Sequence, residues 1–335
     1  MYYFSHFYVN VFEHSANLPS SFLFKNLKQT KMKKLFLMAG FALLAASCSN
    51  EESLDSSVNP SNDQVLAPVT VQVADFSIAQ EDFPTTRSTQ SAESYQYVKA
   101  LTLAFYRVSD GHEMVKITHF RTNPSAYTDF DEFSTELPLG SYTMVVLGYG
   151  QGNSDKEITL TSPTLASYGE GTVFETFAYT QPVTIANNTA VELQATLERV
   201  VTALGVQSTD NRPEGVTHIR LTCSAGGKSF SPTTGFATSN TGIVNLMGFS
   251  GTPNQTTNMG CYFFLAENEQ TIDVTIETLD AADGNVLFSK TVTNVPMKRN
   301  RLTKLTGAMY NVSTSTITDP IQVSVSWLDQ YAINF

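Results

Sequence analysis

The most constraining feature of this chain is an alternation of apolar and polar residues that recurs along its length. It is clear in five segments, at residues 69–73, 101–105, 191–197, 272–276 and 321–327. A period of two places apolar side chains on one face of a β-strand and polar side chains on the other, as half-buried antiparallel sheets require. Gly, Pro, Asn and Asp, which are typical of turns, interrupt the pattern at residues 109–111, 138–140, 187–188, 226–227 and 283–285. The sequence therefore predicts an all-β protein built from antiparallel β-sandwiches.

One apolar segment is too long for a single strand of a small sheet. Residues 191–197 run through Glu198 and Arg199 directly into a second apolar stretch at residues 200–206. We interpret this segment as the last strand of one domain leading into the first strand of the next. The prediction is two tandem β-sandwich domains, at residues 67–199 and 200–335.

The N-terminal region contains a short basic stretch followed by an apolar run. Lys33 and Lys34 precede the run at residues 35–46, which is too short to span a bilayer and is typical of a secretory signal. Small residues come directly before Cys48, and Ser, Asn and Glu follow it. This arrangement resembles the lipobox of bacterial lipoproteins, in which a peptidase cuts before a cysteine whose thiol carries the lipid. The alternative is a chance apolar segment with a buried cysteine, which the charges after Cys48 disfavour.

Processing at this position would divide the N-terminal region. We expect residues 1–47 to be removed as upstream residues and signal peptide, with the true start at Met32. Residues 48–66, rich in polar and acidic side chains, are expected to form a flexible tether. The remaining 335 − 47 = 288 residues suffice for two domains. Because the removed part holds five lysines and one glutamate, the net charge changes from −11 to about −15. An acidic chain of this kind is a poor nucleic-acid binder, and membrane contact is expected through the lipid on Cys48.

Two further cysteines, Cys223 and Cys261, follow Cys48 in the sequence. An even pair in an oxidising compartment is a candidate disulfide. Each cysteine also lies in an apolar, strand-like context where a free buried thiol is compatible with the pattern. Their spacing in the sequence does not decide between these alternatives.

The sequence contains no pattern that predicts catalysis. His112 and His119 are seven residues apart along one predicted strand, which places them on opposite faces and disfavours a shared metal ion. The acidic residues around Asp129 lack the glycine that gives a calcium-binding loop its sharp turn, and we find no phosphate-binding or nucleophile motif. We therefore predict a protein without enzyme activity, cofactor or bound metal.

Several segments together resemble the FimA-like fimbrillins and the FimB/Mfa-type anchor proteins of type V fimbriae. They are the lipobox at Cys48 and residues 85–88, 137–146, 197–204 and 294–307, of which the last is the most specific. The resemblance covers most of the chain after Cys48 and implies two transthyretin-like β-sandwich domains. It implies a fimbrial, or pilus, subunit that assembles with other fimbrial subunits by β-strand exchange and contributes to adhesion to a host or bacterial surface. The implied location is the outer membrane, where the protein would be lipid-anchored and surface-exposed.

The resemblance also assigns a role to Arg87. In this family an arginine-specific protease removes the first strand of the N-terminal domain, and a strand of another subunit fills the groove. Arg87 matches the cleavage position, because it follows the predicted first strand at residues 69–78 and lies in a polar stretch at residues 84–94. The alternative is an ordinary exposed loop arginine. Cleavage would separate the lipid from the folded body, so stalk, anchor and tip roles all stay open.

Two further alternatives stay open at this point. The C-terminal strand at residues 321–327 either donates to a neighbouring subunit or closes its own domain. The protein could instead be a surface lipoprotein that binds glycans for a nutrient-uptake system. Exposed aromatic residues grouped on one rim would favour that second function.

Overall fold

The computed structural model describes residues 64–79, 88–150, 158–310 and 322–327, and these residues lie mainly in β-strands. The all-β prediction is confirmed. Within these ranges the only helix is a single 3-10 turn, Pro124–Ala126. Cys48, Arg87, the predicted signal peptide and the predicted tether up to residue 63 lie outside the described residues.

The strands follow the predicted alternation closely. In the first half of the chain they are β1 (Leu66–Ala79), β2 (Ser88–Ser91), β3 (Ala100–Arg107), β4 (Glu113–Phe120), β5 (Glu132–Pro138), β6 (Gly140–Tyr149), β7 (Thr159–Ser162), β8 (Leu165–Ser167), β9 (Thr176–Ile185) and β10 (Val191–Arg199). In the second half they are β11 (Thr202–Ser208), β12 (His218–Cys223), β13 (Ser229–Phe230), β14 (Ile243–Gly248), β15 (Asn258–Phe263), β16 (Glu269–Leu279), β17 (Val286–Lys298), β18 (Arg301–Gly307) and β19 (Gln322–Trp327). The five alternating segments fall in β1, β3, β10, β16 and β19, and the predicted turns lie between strands.

Most strands of the first half form one eight-stranded sheet. Its order is β2-β1-β10-β9-β6-β3-β4, and β5 additionally pairs with β1. One face of these strands contributes the first hydrophobic cluster, which includes Val71, Phe105, Val146 and Leu197. The buried face of each strand is the apolar face that the alternation predicts.

The second half contains two four-stranded sheets, with strand orders β15-β11-β18-β19 and β14-β12-β16-β17. Inward side chains from both sheets, among them Leu204, Leu221, Ile276 and Leu305, share a further hydrophobic cluster. Two sheets that pack around one apolar layer in this way form a β-sandwich.

Two strand pairings differ from the antiparallel sheets that we predicted. β1 runs parallel to β10, and β11 runs parallel to β18, whereas the other ladders are antiparallel. The partners in each parallel pair are far apart in the chain, since a parallel pair needs a long connection. The alternation of side chains is the same for both directions and therefore does not reveal which one a strand takes.

β3 also differs from the predicted half-buried strand, because both of its faces are buried. Thr102 and Ala104, on the face opposite Leu103, are 4% and 0% exposed. Side chains from β7, β8 and the second half of the chain cover this face in a hydrophobic cluster that includes Val145 and Tyr262.

β10 ends at Arg199 and β11 begins at Thr202, and the division into two domains near residue 200 stays a prediction.

Candidate functional site

The first described strand, β1, is hydrogen-bonded along both edges. On one edge residues 69–77 run parallel to residues 191–198 of β10. On the other edge residues 66–72 pair with residues 132–138 of β5, and residues 75–79 pair with residues 88–91 of β2. Removal of this strand would therefore expose unpaired N–H and C=O groups on both of its neighbours, which is the arrangement that accepts a strand from elsewhere.

The apolar face of β1 lies in the core from Ala67 to Phe76. Its inward side chains are at most 1% exposed and belong to the first hydrophobic cluster; they are Ala67, Val69, Val71, Val73 and Phe76. A β-bulge after Val73 inserts one extra residue, and this moves the next inward position to Phe76. Burial of three valines and one phenylalanine contributes on the order of 10 kcal/mol, at roughly 1.5–3 kcal/mol for each side chain.

Phe76 fits into a tight aromatic environment at the end of the buried face. Its ring centroid lies 4.9 Å from that of Phe177 and 5.6 Å from that of Tyr95. The opposite wall is formed by Gly148, where an added Cβ would lie 2.8 Å from the Phe76 ring. A larger residue at position 148 would therefore displace the ring. The space that β1 fills between β10 on one edge and β5 and β2 on the other is called the β1 groove, and at this point it is shaped for an aromatic side chain.

The connection between β1 and β2 contains the predicted cleavage position. Ala79 and Ser88 are paired across the two strands, and Arg87 directly precedes Ser88 in the sequence. A cut after Arg87 would leave β2 with the folded body. It would leave β1 attached to the body only by hydrogen bonds and side-chain packing.

A buried ion pair lies beside this groove. Arg199 Nη2 is 2.6 Å from Glu175 Oε1, and both side chains are almost fully buried. The Tyr95 hydroxyl donates to the same carboxylate oxygen at 2.7 Å, and Arg199 Nη2 lies 3.1 Å from the Tyr95 hydroxyl. Burial alone would lower the pKa of Arg199, but the charge of Glu175 and the contact with Tyr95 outweigh it and raise that pKa.

The same arginine joins two of the segments on which the family resemblance rests. Arg199 Nη1 donates to Asn300 Oδ1 at 2.8 Å. The backbone N–H of Asn300 donates to the backbone carbonyl of Val201 at 2.8 Å. Asn300 has φ of 60°, which suits an asparagine in a tight turn between two strands. This cluster was not predicted from the sequence. Arg199 falls on the same alternating face as Ala195 and Leu197, which is the signal that marks it as an inward charge.

The structure contains Cys223 and Cys261 as free, buried thiols. They lie on β12 and β15, in the two facing sheets of the second half, and both belong to the same hydrophobic cluster. Burial raises the pKa of the Cys223 thiol to about 12 and that of the Cys261 thiol well above its usual value. Both groups are therefore protonated and poor nucleophiles. The candidate disulfide between them stays a prediction.

We expect these two thiols to resist alkylation in the native protein, because the thiolate is the reactive form and neither sulfur is accessible. Treatment of the folded Cys48→Ser variant with iodoacetamide at pH 8 should leave its mass unchanged by intact mass spectrometry. In guanidinium without a reductant, the unfolded chain should then gain the mass of two alkyl groups from iodoacetamide, one on each thiol. A count of zero in guanidinium would mean that the cysteines are bridged.

The structure separates the two histidines that the sequence analysis considered. His119 is stacked between Tyr127 and Phe133, at centroid distances of 4.5 and 4.1 Å, whereas His112 is exposed. Over the described ranges no group of three or more His, Cys, Asp or Glu side chains is placed to hold a metal ion. Those ranges also contain no helix with the length and apolar character needed to cross a membrane.

Comparison with known families places the chain in a defined group. The model of a family of unknown function, DUF6562, matches residues 66–331. The chain belongs to the DUF6562 family. The match begins at the first residue of β1 and extends beyond β19, so it covers the whole described fold of this DUF6562 protein. No curated protein matches the sequence.

Several solved structures are distantly similar to this DUF6562 protein. The fimbrial anchor protein Mfa2 from Porphyromonas gingivalis is 15% identical with a TM-score of 0.42, over 72% of this chain and 91% of Mfa2. The tip fimbrial protein Mfa3 from the same organism is 12% identical with a TM-score of 0.36, over 78% of this chain and 98% of that chain. A candidate adhesin from Bacteroides thetaiotaomicron is 11% identical with a TM-score of 0.46, over 82% and 100% of the two chains. Such distant similarities do not establish a function for this chain.

Proposed function

We propose that this protein is a structural or anchoring subunit of a surface fimbria that assembles by β-strand exchange and contributes to adhesion. In this proposal it is exported, carries a lipid on Cys48 and is held at the outer membrane. Its partners are other fimbrial subunits, and it has no enzyme activity. The observation that carries the proposal is the position of β1, an N-terminal strand that is paired on both edges and whose apolar face is buried from Ala67 to Phe76.

Strand exchange requires that a strand of another subunit can take the place of β1 in the sheet. β1 is the first strand of the described fold, and a single cut after Arg87 would break its covalent link to the rest of the fold. The groove that remains would be lined by β10 on one side and by β5 and β2 on the other. A strand with alternating β-branched residues and a terminal aromatic residue would satisfy both the hydrogen-bonding edges and the side-chain pockets.

The C-terminus of the same chain contains a segment with the sequence character of β1. Residues 68–73 read Pro-Val-Thr-Val-Gln-Val, and residues 320–325 read Pro-Ile-Gln-Val-Ser-Val. In both segments an aromatic residue follows within three positions, at Phe76 and Trp327. β19, which contains most of the second segment, is paired along one edge with β18. This similarity supports the C-terminal strand of one subunit as the donor for the β1 groove of the next.

The relation between Cys48 and Arg87 would define the position of the subunit in a fimbria. Cys48 lies on the N-terminal side of β1, so a cut after Arg87 would separate the lipid from the folded body. A subunit that is cut would be released into the stalk, and one that stays intact would keep its lipid as an anchor.

The test is treatment of the purified full-length protein with an arginine-specific protease, followed by denaturing gels without boiling. For a stalk subunit we expect a cut after Arg87 and a ladder of polymers that resist detergent. The Arg87→Lys variant is the matched control, because it keeps the charge but removes the cleavage site. It should stay uncut at this position and form no ladder that resists detergent. Peptide sequencing of the new N-terminus should begin at Ser88.

The outcome also distinguishes the fimbrial roles from each other. An intact Arg87 bond together with binding to a cut subunit would assign this protein to the anchor. Strand exchange would be contradicted if this protein, cut or uncut at Arg87, bound no other subunit of this fold, whether that subunit was cut or not.

The glycan-binding alternative would be supported by several exposed aromatic residues on one rim. Among the large hydrophobic side chains that are exposed in the described ranges, the one aromatic residue is Tyr97, at 42%. A single ring of this kind does not make a platform for a sugar chain. We therefore retain one proposed function.

A further inference from the structure

The edge strand β14 exposes two large apolar side chains beside its outer edge. β14 lies at one end of the order β14-β12-β16-β17, and its ladder in the described part of the chain is with β12. Val244 and Leu246 point away from the core and are 52% and 44% exposed. An edge of this kind presents backbone hydrogen-bonding groups beside an apolar surface, and such edges recruit further strands unless they are protected.

The usual protection of an edge strand by charge is missing here. The 38 residues from Ser229 to Ala266, which include β14, contain no Asp, Glu, Lys or Arg. At the 15% charged content of the whole chain, a stretch of this length would hold about six charged residues. The opposite edge of the same sheet, β17, carries Lys290 and Lys298. One edge of this sheet is therefore protected by lysines and the other is not.

We infer that β14 is a docking edge for a second copy of this chain, with the two β14 strands paired antiparallel about a twofold axis. The sheet β14-β12-β16-β17 of one copy would then join the same sheet of the second copy into one sheet of eight strands. A twofold contact uses the same surface on both copies, so it requires a strand that is complementary to itself. This contact does not involve Arg87 or β1 and is independent of the proposed strand exchange.

The side-chain pattern of β14 satisfies the requirement of self-complementarity. In an antiparallel pair, residues directly opposite each other point to the same face of the sheet. A twofold axis through Asn245 places Val244 opposite Leu246 of the second copy, and Leu246 opposite Val244 of the second copy. Ile243 and Met247 face inward in both copies. All exposed apolar side chains of the strand would thus meet each other, and no inward residue would be turned to solvent.

Charge also favours a second copy over a charged partner. The chain carries a net charge of −11, so two copies repel each other over most of their surfaces. The uncharged stretch around β14 is a region where two copies can approach with little local repulsion. The charged residue beside Leu246 in the ladder is Arg220 on β12, and its charge is balanced by Glu277 at 2.7 Å.

Asn245, at the centre of this pairing, carries a side-chain donor whose neighbour in its own chain is a weak acceptor. Its Nδ2 atom is buried and has no hydrogen-bond partner in the described part of the chain. The carboxamide lies beside the Cys261 thiol, and a thiol is a weak acceptor. Opposite residues of an antiparallel pair have Cβ atoms about 4.5–5.5 Å apart. In the proposed pairing the Cβ atoms of Asn245 in the two copies would lie opposite each other at about this distance.

The test is sedimentation velocity of the full-length protein in mild detergent, in the Arg87→Lys background so that β1 stays in place. The protein is expected to form dimers as its concentration is raised. The double variant Val244→Lys with Leu246→Lys should raise the dissociation constant about tenfold or more, because four lysines would then lie opposite each other across the seam. The matched control is Val286→Lys with Leu287→Lys on β17, where two side chains of similar exposure are replaced on the other edge. It should leave the dissociation constant unchanged.

A second measurement tests the register and does not depend on the lysine variants. Copies with Val244→Cys are mixed with copies with Leu246→Cys and oxidised, and non-reducing gels should show covalent dimers that form faster in the mixture than in either variant alone. A monomer at all concentrations would overturn the inference. Equal effects of the β14 and β17 variants, or cross-linking that does not depend on mixing, would also overturn it.

Discussion

A chain that begins at Ser88, and therefore lacks β1, is expected not to reach the native fold on its own. The missing burial of roughly 10 kcal/mol for the side chains of β1 is comparable to the whole stability of a typical protein, about 5–15 kcal/mol. Both neighbouring edges would also lose their hydrogen-bond partners. We expect the near-ultraviolet circular dichroism of this chain to lack the native signal, and the protein to elute as aggregates in size-exclusion chromatography.

A synthetic peptide of residues 66–79 should restore the native signal when it is added during refolding. A peptide of residues 319–328 should do so more weakly, because it resembles β1 in sequence but lacks the residue that forms the bulge after Val73. The matched control is the first peptide with Val71→Lys, which has the same length and should fail, since it places a charge in the core. A chain from Ser88 that folds fully without any peptide would contradict the proposed role of the β1 groove.

The second large effect is expected from the buried ion pair. Glu175→Ala leaves the buried Arg199 guanidinium without its carboxylate, and breaking a buried pair in this way costs about 3–5 kcal/mol. Arg199→Met should cost a similar amount, because it leaves the carboxylate of Glu175 buried with one hydroxyl donor, from Tyr95. We expect urea unfolding to give lower midpoints for both variants.

The double variant Glu175→Ala with Arg199→Met separates the pair interaction from the other losses. Its destabilisation should be clearly smaller than the sum of the two single effects, because neither charge is then left alone in the core. Glu269→Ala provides the comparison at the surface, since Glu269 pairs with Lys298 but is well exposed; its unfolding midpoint should hardly change. Additive single effects would mean that the 2.6 Å contact between Arg199 and Glu175 contributes little by itself.

The local alternation in the sequence predicted five of the strands, β1, β3, β10, β16 and β19. The regular alternation at residues 69–73 and 272–276 lies within β1 and β16. The turn residues at 187–188 and 283–285 separate strands, as predicted. Each of these features depends on a residue and its near neighbours in the chain, because side-chain alternation and turn geometry are local properties.

The candidate site was predictable only in part for the same reason. Cys48 and Arg87 were singled out by short motifs and by their position relative to the first strand. The contact of Arg199 with Glu175 and Tyr95 was not predicted, since these residues are distant in the sequence and meet only through the packing of β9 and β10 against the segment after β2. The second buried face of β3 was missed because another sheet covers it.

The sequence by itself determined that this protein is all-β, where five of its strands and several of its turns lie, and which face of those strands is apolar. It also contains the lipobox-like segment at Cys48 and the arginine in front of β2. Only the tertiary structure decided that β1 lies between two partners, that two of the ladders are parallel, that a buried charge cluster lies beside the β1 groove and that β14 is left at an uncharged edge. The physical reason is that alternation specifies the face of a strand, whereas strand neighbours and buried pairs depend on contacts between residues that are far apart in the chain.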